Sequence, residues 1–360
     1  MTNILWLTKK RYMNKDVYAD RFGRYYELPL RLSQLGARVH MLLLAYRGEP
    51  LCLDETNADL TWESVGVKHG LRYLSRARKL LSSNRFDIIV GSSDIPYCIS
   101  AVLLGHKFRI PVICDIYDNF ETYLSGRLPG VARLYYRMLA KSEAVITFNE
   151  ALAAYLREKT GRTEVDVIHH SVDPACFRKL DKHECRVRLG LPTDGILVGY
   201  FGAISRSRGI STLFRAFDML EADGVEAKLV LGGKKDSGID LNQPRYIYLG
   251  ELPQAQVPIG INACDVNTVC YKDDAFARYS FPFKALEYMA CERPLLTPRI
   301  GGIVDYLKDF PHFLYRVDDV SDLTEKLKYL MVHPVARLPK VLTWDDAAAK
   351  FLGVLKDSTL

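Results

Sequence analysis

Short apolar runs alternate with amphipathic helical patterns along the first half of the chain. The runs predict strands at 3–7, 38–44, 87–93, 111–117, 144–148 and 165–170, and the helical patterns lie at 24–36, 70–83, 96–107, 130–141 and 150–160. A helix between two strands provides the crossover that parallel pairing requires. The alternation therefore predicts an α/β fold built on a parallel, doubly wound sheet.

A second series of the same kind begins at residue 196. Its predicted strands lie at 196–202, 227–233, 245–250, 265–271, 293–298 and 312–317, and a last helix lies at 343–356. We therefore expect a Rossmann-like domain over 1–172, a linker over 173–195, a second Rossmann-like domain over 196–340, and a C-terminal helix in 341–360 that packs back on the first domain. Ligands bind beyond the carboxyl ends of such strands, so two sheets facing each other would leave a cleft.

Composition is compatible with two folded domains and limits the classes of partner that the protein is expected to bind. The chain has 360 residues, 48% of them hydrophobic and 26% charged, with a formal net charge of +6. This mild excess suits an anionic substrate or membrane surface, and nucleic-acid-binding motifs are missing. Eight cysteines without a C-x-x-C pair indicate free thiols in a reducing compartment. The first apolar run is too short for a signal peptide or a membrane span, so we expect a cytoplasmic protein.

A basic loop follows the first strand of the second half. In YFGAISRSRGIS (200–211) a strand ends at a glycine, and Arg206 and Arg208 precede Gly209 and a helix. Cations at the carboxyl edge of a sheet suit a pyrophosphate, although a solvated basic loop is equally compatible with the pattern. The loop contains neither G-x-G-x-x-G nor a P-loop motif.

The stretch YSFPFKALEYMA (279–290) is the second candidate. Ser280 and Pro282 predict the start of a helix, whose free N–H groups and Lys284 could hold a phosphate. Glu287, one turn further on, could accept hydrogen bonds from sugar hydroxyls. The alternative for Lys284 and Glu287 alone is an exposed ion pair worth about 0.2–0.5 kcal/mol.

Three segments carry a resemblance to a known family. YFGAISRSRGISTLFRAF, YLGELPQAQVPIGINACDV and FPFKALEYMACERPLLTPRIGGIVDYL resemble, in this order, the donor half of the GT-B glycosyltransferases of family 4 over about residues 196–310. The resemblance implies a retaining hexosyltransferase that uses a nucleotide-diphosphate sugar as substrate. It also implies an active site between two Rossmann-like domains, with no cofactor and no metal.

The resemblance assigns the donor site residue by residue. Donor-binding residues are expected at Gly202, Arg206, Arg208, Gly250, Glu251, Leu252, Tyr279, Ser280, Phe281, Pro282, Phe283, Lys284 and Glu287. Arg208 stands where the family has a lysine on the donor diphosphate, Glu287 matches the glutamate on the donor ribose, and both are expected to act in catalysis. Tyr279 replaces the glutamate that would face the transferred sugar, and Ala203 replaces an arginine. The loop 249–252 is expected to hold the base through its backbone.

The first half is expected to bind the acceptor. Acceptor-side or sugar-side residues are expected at Gly23, Arg24, Asp94, Tyr117 and Asp118, with Asp94 and also Glu121 as weaker candidates. Tyr117 takes the place of a family histidine, and Asp118 is expected to orient the acceptor in catalysis. A structural role for Asp118 in capping the next helix is the alternative. His169 and His170 are interpreted as packing or hinge residues.

Several functional alternatives remain open. The segments 68–83 and 125–142 interleave basic residues with Leu and Tyr, which is typical of contact with an anionic membrane and also of ordinary surface helices; we favour the latter. The favoured function is sugar transfer to a glycan, lipid-linked or small-molecule acceptor in surface-polysaccharide or glycoconjugate biosynthesis. A GT-B nucleotide-sugar 2-epimerase and a catalytically weak partner subunit of a transferase complex are the alternatives.

Overall fold

A computed structural model describes residues 1–12, 15–67, 70–123, 126, 128–333, 335 and 337–358. The chain divides into two compact units. The first contains Met1–His170 together with Trp344–Leu360, and the second contains Ser171–Thr343. The first unit is therefore assembled from both ends of the chain, and the predicted linker at 173–195 is part of the second unit.

The first unit is organised around a mostly parallel sheet. Its strands are β1 (Asn3–Lys9), β2 (Arg11–Tyr12), β3 (Lys15–Asp16), β4 (Arg38–Ala45), β5 (Leu53–Asn57), β6 (Leu60–Gly66), β7 (Ile88–Ser92), β8 (Val112–Ile116), β9 (Ala144–Thr147) and β10 (Asp166–Val167). In the described residues the main sheet has the order β10-β9-β8-β7-β1-β4-β6-β5, and β2 pairs with β3. All pairs of the main sheet are parallel except β5 with β6. The carboxyl ends of β1, β7 and β8 are therefore neighbours at one edge.

Helices flank this sheet. They are α1 (Arg24–Gln34), α2 (Gly70–Ser83), α3 (Ile95–Phe108), α4 (Val131–Lys141), α5 (Glu150–Thr160) and, from the end of the chain, α12 (Trp344–Asp357). Local signals set some of the ends: the Asn149 side chain accepts a hydrogen bond from the Leu152 N–H at the start of α5, and Gly161 with φ 71° ends it. Helix α12 packs on α1, and the Phe351 ring stacks on buried Trp6 with centroids 5.2 Å apart.

The second unit repeats the architecture with a fully parallel sheet. Its strands are β11 (Ile196–Phe201), β12 (Ala227–Gly232), β13 (Tyr246–Tyr248), β14 (Val266–Thr268), β15 (Leu295–Pro298) and β16 (Leu314–Tyr315). Their order is β13-β12-β11-β14-β15-β16. The helices are α6 (Lys182–Arg188), α7 (Ile210–Ala222), α8 (Val257–Ala263), α9 (Phe283–Ala290), α10 (Ile303–Tyr306) and α11 (Val320–Val332). The predicted pair of Rossmann-like α/β sheets is confirmed.

The helix of the predicted linker is fixed to the second unit. The Arg186 side chain on α6 donates to the Ala263 carbonyl at 2.9 Å and to an Asp265 carboxylate oxygen at 2.7 Å. The same carboxylate oxygen accepts the Leu197 backbone N–H at 2.8 Å. Because these groups join α6, the end of α8 and the start of β11, the polar segment before β11 packs on the second unit.

Candidate functional site

The loop after β11 begins with a glycine that leaves no room for a side chain. Gly202 has φ 142°, and a Cβ built on it would lie 2.5 Å from Lys284 Nζ. The Gly202 N–H still donates to the Gly232 carbonyl at 2.8 Å, so the loop leaves the sheet directly beside this lysine. A glycine at this position therefore lets a cation from α9 approach the backbone at the carboxyl edge of the second sheet.

Lys284 is a partly buried cation in the first turn of α9. Its Nζ lies 4.3 Å from the centroid of the Tyr200 ring. Burial lowers the pKa of Lys284 from 10.5 to about 8, and the nearby positive charge of Arg208 acts in the same direction. An ammonium group with this pKa gains from a bound anion, because the anion restores the interactions that were lost with water.

Glu287 lies one turn after Lys284 and is also partly buried. Burial raises the pKa of Glu287 from 4.5 to about 7, and the positive charge of Lys284 opposes this shift. Neither side chain is exposed, which argues against the alternative of an exposed Lys–Glu pair. Ligand hydroxyls that donate hydrogen bonds would favour the ionised form of this carboxyl group.

The two arginines of the basic loop are exposed, and each contacts a different group. The Arg208 guanidinium lies 4.8 Å from the centroid of the Phe276 ring. Arg206 donates to the Gly238 carbonyl at 3.1 Å. The charge of Arg208 lowers the pKa of Lys284 and the charge of Glu287 raises it, so both predicted donor-binding residues act electrostatically on this lysine.

The segment before α9 is positioned by a second glycine contact. The Ser280 hydroxyl donates to the Ala277 carbonyl at 3.3 Å, and the Ser280 carbonyl accepts the Gly302 N–H at 3.0 Å. A Cβ on Gly301 would lie 2.4 Å from the Ala277 oxygen, so the two loops are in close contact. The predicted helix start is confirmed: α9 begins at Phe283, directly after Pro282, and its cap residue makes no side-chain hydrogen bond.

The remaining donor-side residues lie near these loops along the chain. Phe281 is buried and packs edge-on against Tyr306, with ring centroids 5.5 Å apart. In the predicted base-binding loop, Gly250 has φ 75° and its carbonyl accepts the Gly233 N–H at 2.7 Å. Glu251 is exposed and Leu252 is half-buried. The roles expected for these residues and for Tyr279 stay predictions.

At the carboxyl edge of the first sheet, a lysine that the sequence analysis did not single out joins two expected residues. Lys9 Nζ donates to Asp94 Oδ1 at 2.8 Å and to the Tyr117 hydroxyl oxygen at 2.6 Å. Lys9 ends β1, Asp94 precedes α3, and Tyr117 follows β8. The sequence signal for this lysine was only its position two residues after the first predicted strand.

Asp118 already has two hydrogen-bond donors. One carboxylate oxygen accepts the Asn119 N–H at 2.8 Å, and the other accepts the Tyr123 hydroxyl at 2.5 Å. Burial raises the pKa of Asp118, while the bonds from Tyr123 and Asn119 and the charge of Lys9 oppose the shift. Asn119, not Asp118, caps the short helical turn that follows. The role of Asp118 toward the acceptor stays a prediction.

Arg24 lies in the interior of the first unit. Its guanidinium donates to both Asp115 carboxylate oxygens, at 2.7–3.1 Å, and to the Ile168 carbonyl at 2.8 Å. Neither side chain of this ion pair is accessible to solvent. These contacts favour a structural role over the expected contact with the donor or sugar. Gly23, with φ 73°, starts α1 and lies against the Tyr12 ring.

Glu121 and the two adjacent histidines are held by local contacts. The Glu121 carboxylate accepts hydrogen bonds from the hydroxyls of Tyr136, at 2.8 Å, and Tyr155. His169 Nδ1 lies 3.1 Å from the Phe148 carbonyl oxygen. Burial lowers the pKa of His170 well below its usual value. These contacts are consistent with packing roles.

Two parallel sheets with a cationic loop and a Lys–Glu helix at the carboxyl edge of the second are features of the GT-B glycosyltransferases. Two family profiles match the chain: a glycosyl transferase 4-like domain over residues 24–170, and glycosyl transferases group 1 over residues 195–333. Together they cover most of both units. The chain therefore belongs to the GT-B glycosyltransferases of the family 4 type, as the sequence resemblance predicted.

Individual relatives are distant. The chain is 28% identical over 253 residues to a D-inositol 3-phosphate glycosyltransferase of Stackebrandtia nassauensis, covering 62% of this chain and 56% of the relative. It is 23% identical over 243 residues to a Bacillus subtilis protein assigned to teichuronic acid biosynthesis as glycosyltransferase TuaC, covering 67% and 60%. The chain thus spans less than two thirds of the length of these curated relatives.

A solved structure shows the same fold across nearly the whole chain. The Anabaena protein Alr3699/HepE in complex with UDP has a TM-score of 0.69 and 16% identity, covering 99% of this chain and 98% of that one. At this identity the likeness concerns the fold alone. Among the residues that the structure describes, every helix is too short or too polar to cross a bilayer. The expectations of no cofactor and no metal stay predictions.

Proposed function

We propose that the chain is a retaining glycosyltransferase that takes a hexosyl group from a nucleotide-diphosphate sugar. The observation that supports this most is Lys284, which lies beside the Gly202 backbone and feels the charges of both Arg208 and Glu287. Two cations suit a diphosphate, and a carboxyl group with a pKa of about 7 suits ribose hydroxyls.

In this proposal the protein acts mainly on the leaving group. As the bond between the anomeric carbon and the phosphate oxygen breaks, negative charge develops on the diphosphate, and Arg208 and Lys284 stabilise it. The departing phosphate oxygen can take the proton of the acceptor hydroxyl, so a strong protein base is not obligatory. This suits Asp118, whose two carboxylate oxygens already accept hydrogen bonds within the protein.

The relatives suggest which substrates to test first. UDP is bound in the structure of the Anabaena relative, so UDP-sugars are the first donors to compare with GDP-, ADP-, dTDP- and CMP-sugars. The names of the other relatives refer to D-inositol 3-phosphate and to teichuronic acid. We therefore propose a polyol phosphate or a surface glycan as the acceptor, in polysaccharide or glycoconjugate biosynthesis.

A thermal-shift screen with these nucleotide sugars tests donor binding. A ligand at a hundred times its Kd stabilises the folded state by about 2.7 kcal/mol. Arg208→Ala and Glu287→Ala are each expected to remove most of the shift, whereas Arg215→Ala, an exposed arginine on α7, keeps it. No shift with any nucleotide sugar, or an equal loss in the Arg215 variant, would refute the proposed donor site.

Product analysis tests the reaction itself. Release of the nucleoside diphosphate together with a glycosylated product establishes transfer, and the anomeric configuration of the product by NMR identifies the stereochemistry. An inverted product would rule out the retaining mechanism. Donor binding without release would favour the alternative of a catalytically weak partner subunit.

We further propose that the protein, which we expect in the cytoplasm, makes a peripheral contact with anionic membrane. Helix α4 exposes Arg133, Leu134 and Arg137, whereas α2 buries Tyr73 and Leu80. Lys68, His69, Ser125 and Arg127 of the two segments lie outside the described residues. Helix α4 is therefore the better candidate for lipid contact. Flotation with anionic vesicles tests it, and equal flotation of an Arg133→Glu/Arg137→Glu variant would exclude α4.

A further inference from the structure

The carboxyl ends of three neighbouring strands bring one polar cluster together in the first unit. Strand β1 ends at Lys9, β7 leads into Asp94, and β8 leads into Tyr117. Lys9 Nζ donates to Asp94 Oδ1 at 2.8 Å and to the Tyr117 hydroxyl at 2.6 Å. We call these three residues the lysine cluster. In open α/β sheets this is the edge where ligands bind.

The lysine cluster is held firmly from two sides. The Tyr117 ring packs edge-on against Tyr12 and Phe120, with centroids 4.9 and 5.0 Å away. Ser93, directly before Asp94, has φ 81° although it is not a glycine. Such backbone strain persists only where the surrounding contacts determine the conformation, and it is concentrated at functional sites. The packing fixes the Tyr117 ring, and the strained turn sets the direction in which the chain leaves β7 toward Asp94.

The cluster has hydrogen-bonding capacity to spare. A lysine ammonium has three N–H donors, and two of those on Lys9 have the partners described. Asp94 uses one carboxylate oxygen for Lys9, and in the described part of the chain its other oxygen has no partner within the first unit. The Asp94 side chain is 32% exposed, and that of Lys9 only 9%. A donor and an acceptor therefore lie side by side, with the acceptor reaching solvent.

This arrangement is complementary to a hydroxyl group, which accepts one hydrogen bond and donates another. We propose that the lysine cluster is the subsite for a hydroxyl of the acceptor. Asp94 accepts the hydrogen bond of that hydroxyl, while Lys9 holds the carboxylate in place and donates its third N–H to the hydroxyl oxygen. The inference rests on the proposed transferase function. The ligand class is a polyol or sugar alcohol group, because a hydroxyl uses both the free donor and the free acceptor.

Lys9 influences a further expected residue. Its charge lowers the pKa of Asp118, and the Asp94 charge raises it. The positive charge of Lys9 therefore acts on two carboxyl groups at the same edge of the sheet, those of Asp94 and Asp118. Its replacement by a neutral side chain leaves Asp94 without its cation, and the carboxylate is then free to turn away from the position that Lys9 defines.

The test uses the full chain and the donor identified by thermal shift, with D-inositol 3-phosphate, glycerol and water as acceptor probes. Nucleoside diphosphate release is measured at saturating donor. Lys9→Met and Asp94→Asn are each expected to lower acceptor kcat/KM at least about tenfold, as for the loss of a hydrogen bond to a charged group. The donor Kd stays within about twofold, and Lys9→Arg recovers part of the loss. A Lys9→Met/Asp94→Asn variant is no worse than Asp94→Asn alone, since both changes disable one interaction.

Lys10→Met is the matched control. Lys10 is as buried as Lys9 and follows it directly, but its Nζ lies 3.5 Å from Asp16. It should keep the acceptor kcat/KM of the wild type within about twofold. If Lys9→Met does not fold, Tyr117→Phe and Asp94→Asn carry the test, with a fall expected only in acceptor kcat/KM.

Three results would overturn the inference: an unchanged acceptor kcat/KM in Lys9→Met and Asp94→Asn, an equal fall in donor affinity, or an equal loss in Lys10→Met. A wild-type chain that binds no nucleotide sugar and releases no nucleotide contradicts the proposed function itself. A wild-type chain that does both, with variants that match it, contradicts only the subsite.

Discussion

Replacement of Glu287 by glutamine should stabilise the protein while weakening donor binding. Burial raises the pKa of Glu287 from 4.5 to about 7, so between these pH values the folded state holds a proton that the unfolded state has lost. The folded state therefore loses stability as the pH rises through this window, and the full penalty is present above pH 7. Glutamine has nearly the same shape and no charge, so it removes the penalty.

The size of the effect follows from the pKa difference. A pKa of 4.5 in the unfolded state and about 7 in the folded state corresponds, above pH 7, to a destabilisation of the folded state by at most about 3 kcal/mol. Because the side chain is only partly buried, solvent screening reduces this to about 1–2 kcal/mol. The attraction to Lys284 is already contained in this pKa difference, so no further correction is needed. For a unit of this size, about 1–2 kcal/mol corresponds to a rise in Tm of about 2–8 °C.

The assay is thermal unfolding of wild type and Glu287→Gln between pH 4.5 and pH 8. The gain in Tm should be largest at pH 8 and shrink toward zero at pH 4.5, where the folded wild type is protonated. Glu226→Gln, at an exposed glutamate of the same unit, should show no such pH dependence. In Glu287→Gln the donor Kd should also rise about tenfold. A gain in Tm that does not change with pH, or no gain at pH 8, would refute the inference that burial raises the pKa of Glu287.

Two further predictions concern single positions. Gly202→Ala should weaken donor binding at least about tenfold in titration calorimetry, because its Cβ would lie 2.5 Å from Lys284 Nζ and displace the ammonium. Gly238→Ala is the control, since a Cβ there meets nothing within 4 Å. Equal donor affinities of the two variants would contradict the prediction. Arg24→Met should lower the free energy of unfolding by about 3–5 kcal/mol in urea, since it leaves Asp115 as an unpaired buried charge. Adding Asp115→Asn should restore part of that stability, and an additive loss would count against the pair.

Local patterns were sufficient for most of the fold. Apolar runs and helical periodicity predicted the parallel strands that cross each core, because burial on both faces makes them continuously apolar. The antiparallel strand β5 was missed because every residue of LDETN is exposed, so the segment has no apolar pattern. Its neighbour β6 lies at 60–66, in the same stretch left without assignment.

The candidate site was predictable where its residues are close in sequence. Lys284 and Glu287 share one helix, and Arg208 follows a strand that ends in glycine. The lysine cluster was not predictable, because Lys9 is separated from Asp94 and Tyr117 by 85 and 108 positions in the sequence. Arg24 was assigned to a ligand because its partner Asp115, 91 positions away, was unknown. The contact of Ser280 with Ala277 was not predictable, because it depends on how the loop at Gly301 packs.

The origin of α12 at the end of the chain has a consequence for biosynthesis. Phe351 covers Trp6, so the core of the first unit lacks one of its walls until the last helix has left the ribosome. The second unit lies entirely between these two parts of the chain and is complete earlier. Although domains usually fold from the N-terminus as they emerge, here the unit that is translated first is the one that is finished last.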